Sequence, residues 1–169
     1  MREKKERSFA TLITPIIVSV FAVYLTIGMT LGVLPSYIKN ELQFGNLIVG
    51  AVIGLQSIAT LLTRAYSGKI TDTLGAKTAN HRGLQLSIFS GIIYMAAAYF
   101  SQNILFALGL IFFARIIHGT AESFSVTGAL TWGIGLVGAA KSGKVMTWNG
   151  IAMYAGIALG APAAIWLKS

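Results

Sequence analysis

There is no cysteine in the sequence. Disulfide frameworks, thiolate nucleophiles and cysteine metal sites are therefore excluded. Charge is also scarce: Asp, Glu, Lys and Arg make up 11% of the 169 residues, and acids number 5 against 13 bases. Soluble domains average about 25% charged residues, so this chain has little surface meant for water. Few acids also leave little from which to build a metal site, and neither a metal nor a cofactor is expected.

What fills the sequence instead is apolar: 55% of the residues are hydrophobic and the mean hydropathy is +0.73. Crossing a bilayer as a helix takes about 20 mostly apolar residues, because lipid offers the backbone no other hydrogen-bond partner. Five stretches fit, at about 12–34, 47–63, 84–101, 104–136 and 145–167. They are continuous runs without the alternation of a transmembrane barrel, so the expected class is an all-α membrane protein. The segments on the far side, PSYIKNELQFGN and SQN, are too short for an outer domain.

The opening MREKKERSFATLITPIIVSVF has a basic leader and an apolar run, like a secretory signal. The run is long, lacks a small-residue cleavage site, and is followed by four more; a retained signal anchor is expected. With the N-terminus in the cytoplasm, Arg2, Lys4, Lys5, Arg7, Arg64, Lys69, Lys77, Arg82, Lys141 and Lys144 all fall inside, which is 10 of the 13 bases. Lys39 and Lys168 fall outside, and Arg115 lies within the membrane. Basic residues are retained on the cytoplasmic side, so the net charge of +8 reports orientation in a bacterial inner membrane. Bases scattered over three short loops with little aromatic interleaving fit topology better than a nucleic-acid groove.

The longest inside loop is expected at 64–83, where Gly68, Asp72, Gly75 and Lys77 spell GxxxDxxGxK. Gly68 permits close backbone approach, Asp72 can meet the positive N-terminal end of a helix, and Gly75 can take φ > 0 to turn the chain. The pattern resembles the signature loop of the major facilitator superfamily of secondary transporters. Thr73 and Ala65 stand where that family usually has a base and a proline, which implies a differently paired latch. Further resemblance lies in Arg115, His118 and Gly119 on the fourth segment, and in Gly150, Gly156, Gly160 and Pro162, which look like the fifth-segment antiporter motif with Ala161 inserted. YLTIGMTLGVLPSYI, LQSIATLLTR, LTWGIGLVG and WNGIAMYAGIALGAP are similar to the YhhS-type, arabinose-efflux-permease-like branch.

GAAKSGKV, at 138–145, nearly spells a phosphate-binding loop. Val145 stands where the magnesium-binding hydroxyl belongs and no soluble strand precedes it, so a plain cytoplasmic turn is the reading.

ARIIHGTAES, at 114–123, places three ionisable groups inside an apolar helix. Such a group near mid-membrane costs about 2.5 to 3.5 kcal/mol on insertion scales and normally faces a cavity or a partner. From Ile104, Arg115 lies about 16 Å along the helix and Glu122 about 27 Å. Arg115, His118 and Glu122, at i, i+3 and i+7, share one face. About 10 Å of rise between Arg115 and Glu122 argues against a direct bridge, and His118 is the expected mediator. On the functional reading Arg115 holds a fixed charge against an anionic group while Glu122, or less plausibly His118, changes protonation. A purely structural network tying helix four to its neighbours is the competing reading. Tyr24 on segment one and Gln56 on segment two are the further cavity candidates, beside Thr26, Thr30, Thr60, Thr63 and Arg64.

GMTLG, GAVIG and GIALG are GxxxG patterns that allow close helix approach, and Trp132, Trp148 and Trp166 sit near expected interfaces, where belt anchoring is the default. The family resemblance implies a twelve-helix fold of two six-helix halves. Residues 1–169 would then form an incomplete N-terminal transmembrane domain: five helices of the first half, with the sixth helix and the C-terminal half missing. The function it implies is proton-coupled export of a small organic solute by alternating access, without enzymatic chemistry. Its partners would be the lipid bilayer, a small-molecule substrate, protons and the missing half. A membrane fragment or assembly partner with no transport of its own is the other class.

Overall fold

The computed structural model describes residues 8–168; Arg2, Lys4, Lys5 and Arg7, which carry part of the orientation argument, lie outside the described residues. Five long helices account for nearly all of it. They are α1 (Phe9–Ser36), α2 (Asn46–Leu74), α3 (Ala76–Tyr99), α4 (Ile104–Val137) and α5 (Ser142–Lys168). A π-helical turn, Tyr37–Glu41, extends α1, and a 3₁₀ turn, Ala139–Lys141, precedes α5. Pro35 sits in the last turn of α1, where it cannot donate a backbone hydrogen bond; the helix then widens.

The loop expected at 64–83 is instead helical. α2 runs to Leu74, α3 starts at Ala76, and the turn between them is Gly75 alone, at φ +90° and ψ 147°. That conformation borders a region open essentially to glycine. Loss of hydropathy marks where a helix leaves the membrane and not where it stops, because Lys, Arg and Thr continue a helix in water at small cost. Asn80, expected in that loop, is wholly buried on α3.

Among the described residues, four helical stretches are long and apolar enough to cross a membrane: Phe9–Glu41, Asn46–Leu74, Ile104–Val137 and Ala139–Leu167. α3 contains the fifth expected stretch, but Gln85, Ser87 and Ser90 dilute its hydropathy. Its outward residues remain apolar, with Ile88, Ile92 and Met95 exposed.

α1 packs along α5, α4 packs against both α2 and α3, and α1 meets α4 at the centre. Glycines set these approaches. A Cβ on Gly28 would stand 2.6 Å from the Ile157 carbonyl oxygen, and one on Gly156 2.8 Å from the Leu25 nitrogen. GMTLG and GIALG thus face each other, with Gly160 equally tight against α1. Across α3 and α4 the same part is played by Gly83 against Ser125 and Gly128 against Asn80. Gly50, Gly54, Gly68 and Gly150 have no atom within 4 Å of a would-be Cβ. The close packing expected of GAVIG and of Gly68 is therefore not made among the described residues.

The interior is layered. One apolar cluster holds Ile13, Ile16, Val20, Val126, Ala129 and Val145. The other holds Leu34, Ile38, Leu42, Val52, Ala107 and Ile111. Along α4, Ala107 and Ile111 belong to one cluster and Val126 and Ala129 to the other, so residues 115–122 fall between them.

Candidate functional site

That intermediate level is polar. Arg115 is fully buried, and its Nη1 donates to Gln56 Oε1 and to Thr30 Oγ1, the latter at 3.3 Å. Gln56 Nε2 in turn donates to Glu122 Oε2 at 3.1 Å. An amide carries an acceptor and a donor on one plane, so Gln56 meets the cation with its oxygen and the carboxylate with its nitrogen. Glu122 also accepts from Tyr24 Oη at 3.1 Å through Oε1, and from Thr60 Oγ1 at 3.1 Å through Oε2. The carboxylate thereby ties α4 to α1 and α2.

The mediator between Arg115 and Glu122 is therefore Gln56 and not His118. His118 Nε2 lies 3.0 Å from Thr26 Oγ1, which lies 3.2 Å from Ser87 Oγ. Its ring meets Tyr94 edge-on at 6.2 Å. Helical spacing put the three α4 residues on one face correctly, but could not say which neighbouring helix stands opposite each.

The network is incomplete. Arg115 Nε and Nη2, His118 Nδ1 and Tyr94 Oη are buried without a hydrogen-bond partner. Buried polar atoms are nearly always paired, so this cluster of donors stands ready for a ligand or water. A cavity of about 380 Å³ borders this level at Thr30 and Tyr94, with Val33, Tyr37 and Ile111 among its other walls; Arg115 and His118 do not line it. Tyr94 was missed in the sequence because one tyrosine in an apolar helix carries no periodic signal.

Of the remaining candidates, Asp72 and Lys77 are exposed at the Gly75 turn, and Asp72 has no ion pair or hydrogen bond with a described residue. Arg64 is exposed on α2, one turn beyond Thr60 and well short of that turn. Lys77 Nζ sits 5.7 Å from the Trp132 ring centre and His81 meets the same ring edge-on at 6.2 Å, so Trp132 pins α3 to α4. Trp148 and Trp166 are exposed, as belt residues are. Gly156 and Gly160 serve α1 packing; Pro162 is exposed on α5 and Gly150 half-buried.

The profile of the Major Facilitator Superfamily matches residues 16–168. The chain belongs to that superfamily. Among curated relatives, it is 41% identical over 160 residues to an uncharacterized MFS-type transporter of Burkholderia mallei (strain SAVP1), covering 94% of this chain and 39% of the relative. The figures are the same for a relative from Burkholderia pseudomallei (strain K96243). One from Pseudomonas aeruginosa (strain LESB58) is 41% identical over 147 residues, covering 87% of this chain and 37% of the relative. No solved structure matches. The chain thus spans about two-fifths of the length of these relatives.

Proposed function

We propose that this chain supplies the N-terminal part of a proton-coupled exporter of a small organic solute, working by alternating access in a bacterial inner membrane with its N-terminus in the cytoplasm. The YhhS-type branch is the assignment within the superfamily. The observation carrying the reading is the buried Arg115–Gln56–Glu122 relay, with two guanidinium nitrogens unpaired among the described residues.

Arginine keeps its proton, so Arg115 is a standing cation able to hold an anionic group. Glu122 is the group that exchanges protons. Ionised, it accepts from Tyr24, Gln56 and Thr60 at once. Protonation removes the charge that strengthens all three bonds and turns one oxygen into a donor, which Thr60 can accept while giving its own proton to the Gln56 or Gly119 carbonyl, each at 3.0 Å. The ties of α4 to α1 and α2 are therefore weaker in the protonated form. Closed cores switch between discrete packings rather than deforming continuously, so such a change favours one access state. Asp72 serves as a latch on the C-terminal half, presented by the Gly75 turn with Lys77 beside it, while Arg64 and Gly68 lie farther back along α2; Gly156 and Gly160 serve packing against α1, and the open surroundings of Gly150 and exposed Pro162 leave that face of α5 for the C-terminal half.

The test uses a full-length transporter carrying these residues, in proteoliposomes with a panel of radiolabelled pentoses and small organic anions. Glu122→Gln is expected to retain solute exchange and lose accumulation driven by a proton gradient, per folded molecule. Full proton-driven accumulation in that variant overturns the role of Glu122.

A further inference from the structure

A second feature lies on the outer surface, away from the polar layer. A groove of about 490 Å³ runs between α2, α3 and α4, lined by Tyr66, Arg82, Gln85, Leu86, Phe89 and Phe124 among others. Phe124 forms its floor at 3% exposure, and Tyr66 and Phe89 flank it at 56% and 48% exposure. The Tyr66 and Phe124 rings meet edge-on at 5.8 Å.

The groove is charged at one end only, Thr120 being its polar residue farther in. Arg82 lies in the second turn of α3, near Gly75, whereas Phe89 is seven residues deeper, about 10 Å along the helix. Arg82, Gln85 and the Tyr66 hydroxyl make no hydrogen bond or ion pair with a described residue. Lys69 and Asp72, three and six residues along α2 from Tyr66, are exposed nearer Gly75 and neighbour each other at i, i+3; neither lines the groove. A membrane-facing trench with a cation at its mouth and aromatic rings along its length matches an amphiphile with an anionic head.

We propose that this groove binds one anionic phospholipid from the leaflet at the Gly75 end, with the phosphate at Arg82 and an acyl chain along Leu86, Phe89 and Phe124. Basic pockets between membrane helices hold anionic headgroups in this way. A free phosphate would leave the aromatic trench unused, and a neutral phospholipid would leave the charge of Arg82 unanswered. The site is independent of which solute the transporter carries.

Native mass spectrometry of the 169-residue chain, released from detergent with dioleoylphosphatidylglycerol or dioleoylphosphatidylcholine, tests the site. The phosphatidylglycerol adduct is expected to be favoured about five-fold. Arg82→Gln should abolish that preference, while Lys141→Gln, in the α4–α5 turn, should leave it intact. Equal retention of the two lipids, or equal loss in both variants, overturns the proposal. So does displacement of phosphatidylglycerol by equimolar inorganic phosphate, which would place the affinity in the headgroup alone. Should Arg82→Gln lose its helical circular dichroism, a benzophenone amino acid at position 89 with Arg82 intact decides: cross-linking to the phosphatidylglycerol acyl chain supports the groove, and cross-linking to a protein or to nothing overturns it.

Discussion

At the residue scale, Gln56 holds the two halves of the polar layer together, since it alone touches both Arg115 and Glu122. Replacing it by leucine leaves a buried cation and a carboxylate each short of a partner. Leaving charged groups unsatisfied costs about 3 kcal/mol or more. Gln56→Leu is therefore expected to lower the thermal midpoint in detergent further than Glu122→Gln, which removes a buried charge and keeps one oxygen as acceptor, its amide nitrogen being able to donate to the hydroxyl on the other side. A midpoint for Gln56→Leu equal to that of the parent would show that the relay carries no energy. Arg115 and Glu122 were legible from sequence because charge inside an apolar run is conspicuous. Gln56 and Tyr24 were legible only as candidates, and the partner of each had to come from helix packing.

At the element scale, α1 and α5 are held by interleaved glycines whose neighbours are backbone atoms, which cannot swing aside as a side-chain tip can. Gly156→Leu should therefore weaken α1–α5 packing by about 1–3 kcal/mol, the usual range for overpacking, while Gly50→Leu should be close to neutral because its surroundings are open. Thermal unfolding followed by circular dichroism separates the two, and equal shifts would contradict the packing described. Gly75→Ala places a Cβ on a residue at φ +90°, which costs about 1–3 kcal/mol of strain. That variant should unfold earlier without losing helix content at low temperature. Sequence patterns identified all three GxxxG repeats, but not that GAVIG faces open space, nor that Gly83 and Gly128, four apart from no other glycine, pack just as tightly.

At the scale of the whole molecule, the chain leaves many large apolar side chains exposed while keeping Arg115, His118, Asn80 and several serines inside, between its apolar clusters. An apolar exterior is what a bilayer solvent demands, since lipid satisfies no polar group. Cysteines introduced at Asn40 and Thr78, both exposed and at opposite ends of α2, should react with an impermeant maleimide from opposite faces of the membrane. Labelling of both from one face would remove α2 as a span. On the proposed orientation Thr78 is the cytoplasmic position, because its end of the bundle carries the basic residues.

The sequence by itself determined that this is a helical membrane protein, roughly where its helices lie, and which ionisable groups are set in apolar surroundings. Those properties follow from local composition, since the energy of moving a residue into lipid depends little on its distant neighbours. Tertiary structure alone decided that Gln56 and not His118 joins Arg115 to Glu122, that the 64–83 stretch is helical except at one glycine, and that Asn80 is buried beneath α4. Each depends on which helices stand side by side and in what rotation, a long-range outcome of packing small residues against backbone. No period within a single helix encodes it.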